Sequence, residues 1–287
     1  PTFNVESSIG EDSMKPARIE EQLSQVAFSI APAFAGKEIA VGTCFFYNHQ
    51  GRSFLVTNWH NVTGRRPSDC SLMSKNAAIP DSLIARVPYT ILKDGQSFIQ
   101  WKPKGLRLYT DSDNQVPIWM EHPVHGRSVD VVVIPFKEEE TSLIIPANSQ
   151  NLNLVRLKMY PGMDAFVLGY PRGLSAGGRF PIWKRASIAS EPDIDIDNLP
   201  KFLIDTATRE GMSGAPVYVQ ESGFWAPEGM KLPEGGRFGR AQRFAGVYSG
   251  RILAEDHFLA QLGIVWKEQA IVEVIEGKKK GISSFLL

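Results

Sequence analysis

Three side chains in this sequence stand in settings that suit nucleophilic chemistry. In Arg209 to Val219, REGMSGAPVYV, Ser213 is enclosed by glycines and followed directly by an extended apolar run. In Phe54 to Val62, FLVTNWHNV, His60 comes just after a hydrophobic strand, at the start of a turn. In Val129 to Phe136, VDVVVIPF, one carboxylate, Asp130, heads a strongly apolar strand, where it would be costly to bury unpaired. A hydroxyl is a poor nucleophile until a base removes its proton, so Ser213 would need His60 within hydrogen-bond reach. Asp130 would then orient the imidazole and balance its charge. The backbone N–H groups of Gly211 and Ser213 are the matching donors for an oxyanion, and Gly211 tolerates the unusual backbone this requires.

Each residue also has a plainer reading. His60 could pack beside Trp59, Asp130 could cap a turn, and Ser213 could be a turn serine between glycines. A G-x-S-x-G elbow of the α/β type is disfavoured, because there the serine leads into a helix and Pro216, Val217 and Val219 oppose one. Its downstream partners would be Asp256 and His257, sequence neighbours that point in different directions along an extended chain. His122 and His125 have H-x-x-H spacing but too few further ligands follow, so a loop is expected there and no metal. Asn61-Val62-Thr63 fits a glycosylation sequon, read as unmodified because a glycan would obstruct the presumed base.

The elements that must position these residues are overwhelmingly strands. In the first half they are read at Val26 to Ile30, Ile39 to Tyr47, Phe54 to Thr57, Phe98 to Trp101, Leu106 to Tyr109 and Val129 to Phe136. In the second half they are read at Ala165 to Leu168, Ile182 to Ile188, Phe202 to Thr206, Pro216 to Val219, Phe244 to Tyr248 and Ile264 to Trp266. A short helix is expected at Met14 to Ser24. Another is expected at Lys267 to Glu276, where Ala270, Ile271, Val274 and Ile275 share one face and Gly277 marks the stop. The glycine-rich stretch Gln220 to Arg243 reads as a mobile loop. Residues 1–15 read as a polar leader, 16–137 as a unit carrying His60 and Asp130, 138–152 as a linker, and 153–287 as a unit carrying Ser213.

The 287 residues hold 31 Lys and Arg against 31 Asp and Glu, so no global field attracts nucleic acid or an anionic membrane. No apolar run approaches the roughly 18 residues of a membrane span. No secretory signal is visible, and two cysteines, Cys44 and Cys70, are far from disulfide-dense usage, so free thiols and a cytoplasmic location are expected.

The order His60, Asp130, Ser213, with spacings of 70 and 83 residues, is the chymotrypsin order. Over roughly residues 39 to 276 the three segments, the later strand GVYSG and the terminal helix resemble the trypsin-like serine peptidase superfamily, in particular its Deg/HtrA-like branch. The resemblance implies an all-β fold of two antiparallel six-stranded barrels with a C-terminal helix. The histidine and aspartate come from the first barrel and the serine from the second. It implies a serine endopeptidase working through an acyl-enzyme, without metal or organic cofactor, on a polypeptide held as an extended strand. The alternative is an inactive or gated peptide-binding module on the same fold.

Counting from Ser213, the resemblance places Ala207 and Thr208 at the base of the pocket for the residue before the scissile bond, the P1 residue. It places Gly250 and Gly263 at the pocket walls, with Tyr248, Ser249 and Gly250 as the substrate-binding edge. No acid stands there, so small or medium apolar P1 residues are expected. Met212 stands where digestive relatives carry the aspartate that their new amino terminus locks, and no Ile-Val-Gly-Gly-like start occurs, which implies that activation by cleavage is not needed. Asn61 stands where those relatives carry a cysteine, so Cys44 lacks its usual partner. No PDZ-like domain fits in the remaining length.

Overall fold

The computed structural model describes residues 4–5, 21–74, 76–93, 96–139, 142–231, 235–251 and 261–287. The polar leader beyond Asn4 and Val5, residues 14–20 of the expected first helix, and Asp256 and His257 lie outside the described residues.

Strands β1 (Asn4–Val5), β2 (Ala27–Phe34), β3 (Lys37–Glu38), β4 (Gly42–His49), β5 (Arg52–Thr57), β6 (Ser82–Lys93), β7 (Gln96–Arg107), β8 (Met120–Glu121) and β9 (Val132–Phe136) form one sheet. A helical turn, α1 (Trp59–Thr63), follows β5. The strand order is β1-β7-β6-β2-β4-β5-β9-β8, with β3 paired to β2. The second half is a closed barrel of β10 (Asp164–Gly169), β11 (Ile182–Ile188), β12 (Lys201–Asp205), β13 (Pro216–Trp225), β14 (Arg237–Arg251) and β15 (Leu262–Lys267), in the order β10-β11-β12-β15-β14-β13. The helix α2 (Glu268–Gly277) follows at once. The protein is thus mostly β with a C-terminal helix, consistent with a chymotrypsin-like fold, and its second half is the six-stranded barrel expected.

The first half departs from the expected six strands. Twelve-residue β6 and β7 pair along their whole length as one long hairpin, and β1 runs parallel to the outer edge of β7. The sequence reading missed β6, which contains Pro88, and split β7 in two. The expected loop at Gln220 to Arg243 is also overturned. β13 and β14 keep their ladder out to Trp225 and Arg237, so the connection is shorter and the strands longer than composition suggested.

Strands β4, β5 and β9 are buried on both faces, which is why they read as nearly unbroken apolar runs. In β4, Cys44 and Phe46 point into a core with Leu55, Trp59, Val62, Val132 and Ile134. Phe45 and Tyr47 point the other way, into a core shared with Tyr218, Phe244 and Val247 of the barrel and with Ala270, Ile271, Val274 and Ile275 of α2. That shared core welds the sheet to the barrel by area burial, the dominant favourable contribution in folding. The expected apolar face of α2 is the buried one. The stop falls one residue later than expected: Lys278 takes the left-handed conformation, while Gly277 packs where a Cβ would lie 2.6 Å from Pro123 Cγ. Cys44 and Cys70 are both unbridged, and burial pushes the Cys44 thiol well above its ordinary range.

Candidate active site

His60 sits in α1, immediately after β5 delivers the chain to the edge of the sheet. Trp59, rather than His60, is the packed aromatic: it is fully buried in the sheet core, while His60 lines a cleft of about 770 Å³. Gly64, at φ 67°, ends α1. Asp130 precedes β9, the neighbour of β5, so the β5–β9 ladder fixes the distance between histidine and aspartate.

The Asp130 carboxylate is 4% exposed and fully engaged. Oδ1 accepts the His60 backbone N–H at 3.0 Å, and Oδ2 lies 2.7 Å from His60 Nδ1. Facing a carboxylate, Nδ1 is the donor to Oδ2. Ser249 Oγ donates a third bond, to Oδ2, at 2.5 Å, and Asn58 Nδ2 donates to the Asp130 carbonyl at 2.6 Å.

Ser213 lies in the turn before β13 and lines the same cleft. The backbone there is held against the sheet. Thr43 N–H donates to the Ser213 carbonyl at 2.9 Å, Asn61 Nδ2 to the same oxygen at 3.2 Å, and Thr43 Oγ1 to the Gly211 carbonyl at 2.7 Å. Gly211, at φ 90°, packs so closely that a Cβ would stand 2.3 Å from the Tyr170 carbonyl oxygen. At Gly214, φ 86°, it would stand 2.1 Å from the Thr43 carbonyl oxygen. Only glycine fits either place. With the carbonyls of Gly211 and Ser213 turned to Thr43, their N–H groups make no hydrogen bond among the described residues. Met212, between them, is fully buried in the barrel core, so apolar burial anchors the turn that carries both donors. Ser213 Oγ and His60 are not hydrogen-bonded in this conformation, a looseness common in sites without substrate.

The structure therefore gathers His60, Asp130, Ser213, Thr208, Tyr248, Ser249 and Gly250 around one cleft. Ala207 and Gly263 do not line it. Gly263 is buried behind the Tyr248 ring, where its Cβ would stand 2.6 Å from Tyr248 Cε2. Thr208 Oγ1 and Tyr248 OH are hydrogen-bonded, and burial pushes the Tyr248 hydroxyl up to about 12, so it stays neutral. Ser249, expected at a substrate edge, turns its hydroxyl to Asp130. Sequence reasoning also missed Thr43 and Asn58, ordinary polar residues whose roles depend on which strands meet. Asn61 bonds Thr57 Oγ1 as well as the Ser213 carbonyl, so its amide is committed inside the fold. Beyond the Pro216–Val247 pair β13 ends, so Gly250 and Arg251 are laddered to β15 alone among the described residues, and residues 249–251 line the cleft. His122, once considered for a metal, bonds Glu273 through Nε2 at 2.8 Å.

No family model matches the sequence, and no curated protein matches it. Solved structures similar to this chain include several proteases. The Rv3671c protease in its inactive form is 19% identical over 89% of each chain, with a TM-score of 0.42. The serine endoprotease from Yersinia pestis is 12% identical over 91% of this chain and 66% of that one, at 0.46. The protease Anisep from Arthrobacter nicotinovorans is 12% identical over 87% and 93%, at 0.44. At TM-scores below 0.5 these likenesses bear no weight, and the site stands on its own geometry.

Proposed function

We propose that this chain is a serine endopeptidase of the trypsin-like class, similar to its Deg/HtrA-like branch. The observation that carries this reading is the His60 Nδ1 to Asp130 Oδ2 contact of 2.7 Å at the edge of the cleft that Ser213 lines. In the reaction, His60 Nε2 takes the Ser213 proton as Oγ attacks the substrate carbonyl, and Asp130 stabilises the imidazolium. The Gly211 and Ser213 N–H groups receive the oxyanion. His60 then gives its proton to the leaving amine, the C–N bond breaks, and water hydrolyses the acyl-enzyme by the same steps in reverse order. The substrate lies as an extended strand along residues 249–251. The chemistry is complete without a metal or an organic cofactor, and a cytoplasmic location goes with the two unbridged thiols.

The experiment is digestion of an unfolded protein such as reduced casein by the wild type and by Ser213→Ala. Cleavage by the first and none by the second is expected. The absent Ser213–His60 hydrogen bond favours one second reading, a gated or non-cutting peptide binder on the same fold. Saturable binding of the casein chain without any cleavage would select it.

A further inference from the structure

Tyr248 is 1% exposed, and its ring lies against Gly263 with its hydroxyl bonded to Thr208 Oγ1. Its main chain is fixed as well: Tyr248 N–H donates to the Ala215 carbonyl at 2.9 Å, and its own carbonyl accepts from Gly214 N–H at 2.8 Å. Tyr248 is therefore tied to the turn that carries Ser213 and belongs to the barrel core with Met212, Ala215 and Val265. A large phenol in close-packed surroundings does not swing aside for a ligand.

We infer that Tyr248 fills the shaft into which a P1 side chain would descend, leaving a shallow socket, and so makes this protein selective for Gly, Ala or Ser at P1. The inference rests on the endopeptidase reading and goes beyond it by naming the substrate class and its determinant. Ala207 and Gly263 have no part in recognition, because neither lines the cleft, whereas Tyr248, whose ring packs against Gly263, does. The size of residue 248, more than the charge of the pocket base, sets the P1 preference. A Leu or Phe at P1 meets the ring before its own carbonyl reaches Ser213 Oγ, and a near-attack misplacement of about 1 Å already lowers rate about 100-fold. An aspartate placed at 207 accordingly confers no basic preference while Tyr248 is present.

The test is a P1-varied series of fluorogenic peptides, read as the kcat/KM ratio of P1 Phe to P1 Ala. Wild type is expected to favour Ala by at least about 100-fold. Tyr248→Ala is expected to raise the Phe-to-Ala ratio at least about 10-fold, whereas Tyr248→Phe, which keeps the ring, retains the wild-type ratio. A purely structural role would lower all substrates together and leave the ratio unmoved. If Tyr248→Ala does not fold, the wild-type profile and Tyr248→Leu decide. Wild-type preference for Leu, Phe, Lys or Arg at P1 overturns the inference while leaving the endopeptidase reading intact. A folded wild type that cleaves no member of the series and takes no label from a fluorophosphonate overturns both.

Discussion

The two walls of the cleft are held by different means. On the sheet side, His60 and Asp130 are placed by hydrogen bonds to one carboxylate: the His60 N–H and ring, joined from β14 of the barrel by Ser249 Oγ, converge on Asp130, and Asn58 holds the backbone behind it. On the barrel side, Ser213 is placed by backbone conformation, through two left-handed glycines pressed against Tyr170 and Thr43 and a buried Met212 between them. The first wall is held by polar contacts to one buried carboxylate. The second cannot accept even a methyl group without moving main chain. Hydrogen bonding is therefore concentrated on the His60–Asp130 side, and steric exclusion on the Ser213 side.

The largest effects come from cutting the link between the walls. Ser213→Ala and His60→Ala should each lower kcat by about a million-fold, and the double change should be scarcely worse, because the pair acts as one unit. Multiplicative losses in steady-state peptide cleavage would mean that the two do not work together. Asp130→Asn should leave the melting temperature nearly unchanged yet lower kcat by roughly four decades at neutral pH, by presenting the wrong imidazole tautomer. A mild loss would assign the orienting role to another carboxylate.

The steric wall is tested by stability. Gly214→Ala, at φ 86° with Thr43 O at 2.1 Å and Thr57 Oγ1 at 2.5 Å from the new Cβ, should destabilise by more than about 4 kcal/mol. Gly36→Ala, at φ 75° with nothing within 4 Å, should cost only about 1–2 kcal/mol from its backbone conformation. Equal losses in urea denaturation would show that conformation alone, without the Thr43 contact, demands the glycine.

The smallest effect lies behind the sheet wall at Glu121, which is 3% exposed and pairs only loosely with Lys279 at 4.0 Å. Burial pushes its carboxyl above the ordinary 4.5, with Lys279 pulling the other way. A carboxyl raised in the folded state stabilises while protonated, and that contribution fades as pH rises through the folded value. Glu121→Gln should therefore be more stable than wild type at pH 8, with the gap closing toward pH 4. A melting-temperature difference that widened on acidification would reverse the sign.

What was legible in the sequence follows the same division. Strands buried on both faces, such as β4 and β9, announce themselves by composition, and the glycines around Ser213 mark a turn that sterics enforce. Ser82 to Lys93 was missed because Pro88 interrupts it and its pairing with β7 is a tertiary fact. The β13–β14 hairpin was mistaken for a loop because glycine usually punctuates. Here Gly223 and Gly239, both at positive φ, stand opposite each other inside the ladder. The direction of Tyr248 and Ser249 could not be read, because an irregularity in the β14–β15 register follows Tyr248 and decides which side chain enters the barrel and which reaches Asp130. Polar residues that join two sheets, Thr43 above all, carry no local pattern.

The central claim, that Ser213 is a nucleophile activated by His60, is tested most directly by treating the folded protein with a fluorophosphonate and mapping the adduct by peptide mass. One equivalent of adduct on Ser213, none in Ser213→Ala, and strongly slowed labelling in His60→Ala are expected. An adduct on another serine, or labelling of Ser213 at the same rate without His60, would contradict it.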